Sequence, residues 1–209
     1  MSKVAVLVDD HALFADSFAA LLEKMGMFDE VHTLNDPKKR LNYFLRNSRK
    51  ELYLFLDYYL GDQLGIDIIN DARRINKNVK IIMVSSVTHA VAVRSIMAFQ
   101  PNAFISKASG FDTVVECINC LNEDKFYYCP IITKCLKELQ EEKEVWLSSR
   151  EIEILRYFAQ GFSVNETAEK FFLSKHTVVS HRRKMMKKTK TNTITELLSY
   201  VRKTGLIED

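Results

Sequence analysis

Residues 51–65 read ELYLFLDYYLGDQLG, and the organisation of the N-terminal half follows from them. The run at 52–56 is short and almost wholly apolar or aromatic, which predicts a strand buried on both faces of a parallel sheet. Asp57 ends this run, and two glycines follow it. Asp is common in turns, so Asp57 alone indicates no more than the end of a strand. A carboxylate at the carboxyl end of a buried strand also lies where open parallel sheets build their sites.

The chain repeats this pattern of an apolar run and an amphipathic segment up to about residue 122. We predict strands at 3–8, 31–34, 52–56, 79–84 and 103–105, and helices at 12–25, after 35 or 36, and at 66–75, 89–99 and 111–121. Five such repeats imply right-handed crossovers and a five-stranded parallel sheet with helices on both faces. The predicted fold is therefore α/β and doubly wound. The flavodoxin-like strand order 2-1-3-4-5 would make the crevice between strands one and three the topological switch point.

Polar side chains follow four of these predicted strands. Asp9 and Asp10 follow strand one, Asp57 follows strand three, Ser85 follows strand four and Lys107 lies just past strand five. Carboxyl ends of parallel strands share one edge of the sheet, so we expect these side chains to meet. Clustered carboxylates raise one another's pKa unless a cation neutralises them, and Mg²⁺ prefers oxygen ligands. The sequence thus predicts a Mg²⁺ site at the three aspartates, with Asp57 as the nucleophile towards a phosphoryl group that Ser85 and Lys107 bind.

These positions resemble the receiver domain of bacterial two-component response regulators. The resemblance rests on residues in a fixed order at strand ends: Asp9-Asp10, Asp57, Ser85, Phe104 and Lys107. It implies that a partner sensor histidine kinase phosphorylates Asp57. It also implies inward movement of Ser85 and of Phe104 as the aromatic switch residue. An ordinary buried aromatic is the alternative for Phe104.

Residues 124–145 break the alternation and are predicted to form a linker between domains at 1–123 and 146–209. The stretch KCLKELQEEKE at 134–144 is highly charged, which indicates a solvated helix or a flexible tether. Four cysteines lie nearby, at 117, 120, 129 and 135. The first two have CxxC spacing but fall among apolar residues of a predicted helix, which favours reduced structural thiols over a zinc or redox site.

The hydropathy of the chain indicates where the protein acts. The apolar run Val4–Val8 is short and leads into Asp9, which is unlike a signal peptide, and no stretch has membrane-spanning length. We therefore expect a cytoplasmic protein with no membrane partner.

The formal net charge is only +3, yet residues 146–209 hold 12 Lys and Arg against 7 Asp and Glu. The positive charge thus lies in the C-terminal part of the chain.

Residues 146–209 have helical periodicity throughout. The segments 148–151, 163–166 and 193–196 each fit a capping box, and Gly161 and Gly205 stand where helices should end. We predict an all-α domain of four helices at 149–160, 164–171, 175–189 and 193–204. Only the turn 172–174 separates the second helix from the third, which is typical of a helix-turn-helix.

The third of these helices is the candidate DNA-binding element. Val178, His181 and Met185 form one stripe, predicted to be core. Seven basic residues and no acidic one lie between Lys175 and Lys190. A basic run is often only a solvated face, but its place on the second helix of a helix-turn-helix favours contact with double-stranded DNA. The expected contacts are Lys175, His176, Thr177, Val179, Ser180, Arg182, Arg183, Lys184, Lys187 and Lys188.

This half resembles the LuxR/NarL/FixJ-type DNA-binding domain. The matching positions are Leu147, Arg150, Glu151, Gly161, Ala168, Ser174, Thr177, Val178 and His181. The family often has Lys where this chain has Val179, so base preferences of its own are expected, with Val179 contacting a thymine methyl. Arg182, Lys184, Lys187 and Lys188 are expected to contact phosphates.

Both resemblances together imply a transcription factor controlled by phosphorylation, not an enzyme. It would bind paired DNA half-sites as a homodimer formed on activation. Two other classes stay open. A phosphatase with an aspartate nucleophile usually has a second Asp two residues on, where this chain has Tyr59. A DNA-binding protein independent of phosphorylation would keep the same fold with a silent pocket.

Overall fold

The computed structural model describes residues 2–34, 37–61, 63–87, 90–141 and 147–207. It divides into two compact units, residues 1–87 with 100–133 and residues 88–99 with 134–209. Among the helices of the described residues, none combines the length and the hydropathy needed to cross a bilayer.

The first part of the chain alternates strands and helices. Its elements are β1 (Lys3–Val8), α1 (Ala12–Met25), β2 (Glu30–Thr33), α2 (Pro37–Arg46), β3 (Glu51–Leu56), β4 (Tyr59–Leu60), β5 (Gln63–Leu64), α3 (Ile66–Ile75), β6 (Val79–Ser85), α4 (Ala90–Met97), β7 (Ala103–Ser106), α5 (Phe111–Asn122), β8 (Tyr127–Tyr128) and α6 (Pro130–Glu141). The predicted start of the fourth helix at His89 lies outside the described residues.

The main sheet is parallel, with the order β2-β1-β3-β6-β7-β8. The predicted order of the first five strands is confirmed. The predicted number of strands is wrong, because β8 pairs with β7 as a sixth strand. A strand of two residues is too short to show any periodicity, which explains why the sequence pattern did not indicate it.

The centre of the sheet is formed by the runs that the hydropathy singled out. Residues 4–8 of β1 and 52–56 of β3 are all buried, as expected for strands covered on both faces. The two strands pair in register from Lys3 with Glu51 to Val8 with Leu56. Their carboxyl ends therefore stop side by side.

The segment after β3 forms a small antiparallel hairpin, which was not predicted from the sequence. Tyr59 pairs with Leu64 and Leu60 with Gln63. Gly61 lies at the turn with φ +57°, a conformation that other residues adopt only with strain. The hairpin therefore begins two residues after Asp57.

The described residues of the predicted linker form a strand and a helix, and some of them are buried. Its residues 127–128 form β8, and α6 covers 130–141, while 142–145 lie outside the described residues. Cys129 and Ile132 are fully buried. The beginning of the segment, before the charged stretch 134–144, therefore packs apolar side chains into the core.

The four cysteines are free thiols, as predicted. Cys117, Cys129 and Cys135 are buried, and burial raises the pKa of the Cys117 thiol well above its usual range. A thiol held neutral in this way is a poor nucleophile, which agrees with a structural role.

Four helices form the C-terminal part: α7 (Ser149–Ala159), α8 (Val164–Lys170), α9 (Lys175–Thr189) and α10 (Ile194–Lys203). Each begins within one residue of its prediction. The capping boxes at Ser148 and Ser163 are present, with Glu151 and Glu166 bonding back to the cap. The capping box predicted at the fourth helix is only half formed. The hydroxyl of Thr193 accepts from the N–H of Glu196, but the Glu196 carboxylate accepts from the N–H of Asn192 rather than from that of Thr193.

Candidate functional site

Asp9 and Asp57 lie next to each other at the carboxyl edge of the sheet. The register of β1 and β3 brings them there, and the Asp57 N–H donates to the carbonyl of Val8 at 2.9 Å. Lys107, just past β7, joins them: its Nζ lies 2.7 Å from Asp9 Oδ2 and 2.6 Å from Asp57 Oδ2. One ammonium group thus bridges two buried carboxylates that come from different strands.

Asp10 and His11 complete this cluster from the exposed side. Asp10 Oδ2 accepts from the N–H of Gly61 at 2.8 Å, which ties the start of α1 to the hairpin. His11 Nδ1 lies 3.3 Å from Asp9 Oδ1, 3.1 Å from Asp10 Oδ1 and 3.9 Å from Asp57 Oδ2. His11 is not among the predicted site residues. Its position directly after two predicted metal-binding aspartates was the available signal.

The electrostatics of the pocket favour a bound cation. Burial raises the pKa of Asp57 above its ordinary value, against the lowering effect of Lys107, and the nearby Asp9 carboxylate adds to the increase. Burial alone would lower the pKa of Lys107, but its hydrogen bonds to Asp57 and Asp9 outweigh this and hold it above the ordinary value. Three carboxylates and one ammonium group also leave the pocket with a formal excess of negative charge.

The donor set fits a divalent ion. One ligand atom from each of Asp9, Asp10, His11 and Asp57 lies within 4.8 Å of the others. Three carboxylates close together are the oxygen-rich environment that hard divalent cations require, and Asp10 lies on the exposed side of the cluster. Of the residues predicted to bind metal, the structure brings all three together.

The backbone after Asp57 is fixed by close contacts. The N–H of Tyr58 donates to Asp57 Oδ1 at 2.7 Å, and the N–H of Gly65 donates to the carbonyl of Tyr58 at 2.8 Å. A Cβ atom at Gly65 would lie 1.9 Å from the carbonyl oxygen of Asp57, so no larger residue fits there without displacement. Gly65 thus allows the chain to pass close to the backbone carbonyl of Asp57.

Ser85 and Phe104 lie in the two strands that follow β3 in the sheet. Ser85 ends β6 and is fully buried, and its Oγ accepts from the N–H of Val87. Its carbonyl accepts from the N–H of Lys107 at 3.0 Å. Phe104, in β7, is fully buried, and its carbonyl accepts from the N–H of Cys129 at 3.0 Å. Ser85 therefore lies on the strand next to β7, and Phe104 lies on β7 itself, three residues before Lys107.

The helix-turn-helix is formed by α8 and α9. Ser174 caps α9, accepting from the N–H of Thr177 at 3.0 Å, and its hydroxyl also pairs with that of Thr177. Phe172 in the turn has φ +54° and is 97% exposed. Val178 and Met185 are fully buried, as predicted for the core stripe, whereas the third predicted member, His181, is only partly buried.

The predicted DNA-contacting side chains of α9 fall into two groups by exposure. The exposed ones are Lys175, His176, Arg183, Lys184 and Lys187, and the partly exposed ones are Thr177, Val179, Ser180, Arg182 and Lys188. Lys188 differs from the other basic residues because its Nζ lies 2.6 Å from the buried carboxylate of Glu151. Its charge is therefore engaged within the helical domain.

Comparison with known families agrees with both halves. Residues 5–119 match the model described as "Response regulator receiver domain". Residues 145–201 match the model described as "Bacterial regulatory proteins, luxR family". The chain belongs to the response regulator family. It is a receiver joined to a LuxR-type DNA-binding domain, which is the architecture of NarL-type transcription regulators, as predicted.

Curated relatives span the whole response regulator. The chain is 24% identical over 206 residues to the Fimbriae Z protein of Salmonella typhimurium, covering 97% of both chains. It is 22% identical over 202 residues to the DNA-binding transcriptional activator EvgA of Escherichia coli, covering 95% of this chain and 97% of EvgA.

Solved structures share its fold. The RcsB response regulator of Salmonella typhimurium superposes with a TM-score of 0.71 at 22% identity, covering 97% of this chain and 98% of RcsB. RcsB of Salmonella enterica serovar Typhimurium bound to promoter rprA with the phosphomimetic BeF3- gives a TM-score of 0.72 at 21% identity, covering 95% and 97% of the two chains.

Proposed function

We propose that Asp57 accepts a phosphoryl group from a sensor histidine kinase, and that this reaction controls DNA binding by the helical domain. The observation that carries the proposal is the meeting of Asp57, Asp9 and Lys107 at 2.6–2.7 Å. Two buried carboxylates and an ammonium group at a strand end form a site for a transferable phosphoryl group. In the transfer, the P–N bond of the kinase phosphohistidine breaks as a P–O bond to Asp57 forms.

Each pocket residue has a role in this proposal. The Asp57 carboxylate is the nucleophile, Lys107 neutralises one phosphoryl oxygen, and the hydroxyl of Ser85 donates to another. Asp9, Asp10 and Asp57 would hold Mg²⁺, which supplies charge stabilisation for the phosphoryl oxygens when bound. Burial raises the pKa of Asp57 and so disfavours the ionised carboxylate, which is the form that attacks. A bound cation would counteract this effect by stabilising the ionised form.

The switch would act through β7. Lys107 follows this strand, and the N–H of Lys107 and the carbonyl of Ser85 already join β7 to β6. When Lys107 and Ser85 turn towards a phosphoryl group, the space beside the buried ring of Phe104 changes. Phe104 is therefore the residue proposed to report phosphorylation to the receiver surface, where a homodimer would form.

The DNA contacts are proposed from exposure and charge. His176, Val179, Ser180 and Arg183 would face base edges, together with Lys175 and Thr177 near the start of α9. Arg182, Lys184 and Lys187 would contact phosphates. Lys188 is proposed to anchor α9 to Glu151, and a phosphate contact from it would require that ion pair to be shared.

The predicted organisation completes the proposal. Residues 1–123 would be the receiver, 124–145 the linker, whose β8 adds the sixth strand to the receiver sheet, and 146–209 the DNA-binding domain. Two recognition helices in a dimer would meet paired half-sites of double-stranded DNA. The protein would act in the cytoplasm as a regulator with no substrate of its own. A phosphatase is disfavoured by Tyr59, because this half-buried ring packs edge-on against Tyr58 where such an enzyme usually carries its second Asp.

Labelling by a small phosphodonor tests the proposal. The full chain with Mg²⁺ and acetyl phosphate should gain one phosphoryl group that alkali and hydroxylamine remove, as expected for an acyl phosphate, and Asp57→Ala should gain none. The labelled protein should elute as a dimer and bind DNA more tightly than the unlabelled one. Continued labelling of Asp57→Ala would rule out the site. Equal DNA affinity with and without phosphodonor would instead support regulation independent of phosphorylation.

A further inference from the structure

The ammonium group of Lys107 faces an aromatic ring as well as two carboxylates. Its Nζ lies over the ring of Phe14, 4.7 Å from the ring centroid. An aromatic face attracts a cation at distances up to about 6 Å, so this contact is within range. Only 11% of the Lys107 side chain is exposed, and water therefore screens the attraction little. Phe14 of α1 is thus a partner of this ammonium group beside Asp9 and Asp57.

The ring of Phe14 is held in place from the core. Phe18 lies one helical turn further along α1, and its ring stacks on that of Phe14 with centroids 5.5 Å apart and an interplanar angle of 14°. Phe18 in turn packs edge-on against Phe55 of β3, with centroids 5.4 Å apart. Both Phe18 and Phe55 are buried. A ring fixed by such neighbours loses little conformational entropy when it holds the ammonium group.

The ring differs from the carboxylates in its response to a divalent cation. Mg²⁺ held by Asp9 and Asp57 would compete with Lys107 for the negative charge of both carboxylates, and it would also repel the ammonium group. The attraction between Lys107 and the face of Phe14 involves neither carboxylate, so it would persist. Phe14 therefore offers a contact that would keep Lys107 in the pocket when the carboxylates bind a cation.

We propose that Phe14 is a positioning residue for phosphoryl transfer to Asp57. It holds Lys107 beside the phosphoryl site while a divalent cation occupies the carboxylates, and it acts through the ammonium group rather than on the phosphoryl group itself. The role requires an aromatic face, because an aliphatic side chain fills space but has no negative face to attract a cation. The inference rests on the proposed function of Asp57 and adds a residue of α1 to that site.

Fluorination of the Phe14 ring tests this role with little change in shape. Trifluorophenylalanine in place of Phe14 in the full chain has less negative charge on its face, so labelling of Asp57 with Mg²⁺ and acetyl phosphate should become about threefold slower or more. Phe14→Leu should be at least as slow, and Phe14→Tyr should keep nearly the wild-type rate. The same fluorination at Phe18 is the matched control for packing within the stack, and it should leave the rate unchanged.

The affinity for Mg²⁺, measured without phosphodonor, separates positioning from damage to the pocket. A weaker hold on Lys107 lets the ammonium group move away from Mg²⁺, so the chain fluorinated at Phe14 should bind Mg²⁺ at least as tightly as the wild type. Weaker binding of Mg²⁺ would attribute the slow labelling to a distorted pocket and would overturn the inference.

Nuclear magnetic resonance observes the contact itself. The side-chain protons of Lys107 nearest the ring should show an upfield ring-current shift that persists when Mg²⁺ is added and is lost in Phe14→Leu. Loss of this shift on addition of Mg²⁺, or equal labelling rates in all Phe14 variants, would overturn the inference while labelling of the wild type at Asp57 still stood. Failure of the wild type to be labelled would overturn the proposed function, and the inference with it.

Discussion

Lys188 Nζ lies 2.6 Å from Glu151 Oε2, although Lys188 belongs to the most basic segment of the chain. The Glu151 carboxylate also accepts from the N–H and hydroxyl of Ser148, and it is 4% exposed. Burial raises the pKa of Glu151, but Lys188 and Ser148 outweigh it and hold the pKa below its ordinary value. One carboxylate thus caps α7 and fixes α9 to it.

Glu151→Gln should weaken the helical domain by about 2 kcal/mol at neutral pH, because glutamine can still cap the helix but leaves Lys188 without a counter-charge. A carboxylate with a lowered pKa contributes stability above its unfolded pKa and loses it as the pH falls through the folded value. The difference between variant and wild type should therefore close below about pH 4. Hydrogen exchange of α7 and α9 amides in the full chain measures it.

Glu166→Gln is the control for this prediction. Glu166 caps α8 in the same way, and hydrogen bonds from Ser163 alone lower its pKa. Its substitution should cost only a few tenths of a kcal/mol, as expected for a surface capping residue. Equal losses in the two variants would mean that the capping bonds, and not Lys188, carry the stability.

Phe172→Gly should stabilise the helical domain by about 0.5–1 kcal/mol. Phe172 adopts φ +54° with 97% of its side chain exposed, so glycine relieves backbone strain and removes almost no packing. Phe162→Gly should do the opposite, because that ring packs on Tyr157 with centroids 4.8 Å apart. Thermal unfolding of the two variants compares them, and a loss of stability in Phe172→Gly would show that the exposed ring has a partner within the chain.

Gly65→Ala should destabilise the receiver by about 2–3 kcal/mol and slow the labelling of Asp57. The new methyl would lie 1.9 Å from the Asp57 carbonyl oxygen and 2.9 Å from the Leu56 side chain, so the phosphoacceptor must shift. Gly110→Ala meets nothing within 4 Å and should cost less than about 1 kcal/mol, with unchanged labelling. Normal labelling of a stable Gly65→Ala protein would contradict the prediction.

Val179→Ala should make the protein indifferent to one thymine methyl in each half-site. With DNA selected from a random pool, replacing that thymine by uracil should weaken wild-type binding about threefold, the effect of one buried methyl group. Lys184→Ala is the contrast, because it should weaken binding to all sequences alike. It should also reduce the slope of log affinity against log salt concentration by about one, while the effect of uracil persists. A uracil effect that survives in Val179→Ala would assign the contact to another residue.

The meeting of Asp9, Asp57 and Lys107 could be predicted because it depends only on strand order. Each follows a buried strand, and parallel strands end at one edge. The four C-terminal helices could also be predicted, since capping residues such as Ser148 and Ser163 mark their starts in the sequence itself. Local chemistry and topology are therefore enough for these features.

Other features depend on side-chain direction or on very short contacts. The hairpin after Asp57 and the strand at 127–128 each rest on two-residue pairings, which leave no periodicity to detect. The position of His11 in the pocket depends on its rotamer. Lys188 did leave a signal, because it continues the buried stripe of Val178 and Met185 at helical spacing, but the basic composition of the segment obscured it.

The sixth strand determines where the receiver can be cut from the rest of the chain or joined to another domain. The N–H groups of Tyr127 and Cys129 donate to the carbonyls of Asn102 and Phe104, so a chain cut after Glu123 would leave β7 as an open border of the sheet. Unpaired carbonyls on a mostly apolar strand invite pairing with a second molecule. A chimaera that borrows this receiver should therefore keep the residues to at least Thr133, or it will gain self-association that has nothing to do with phosphorylation.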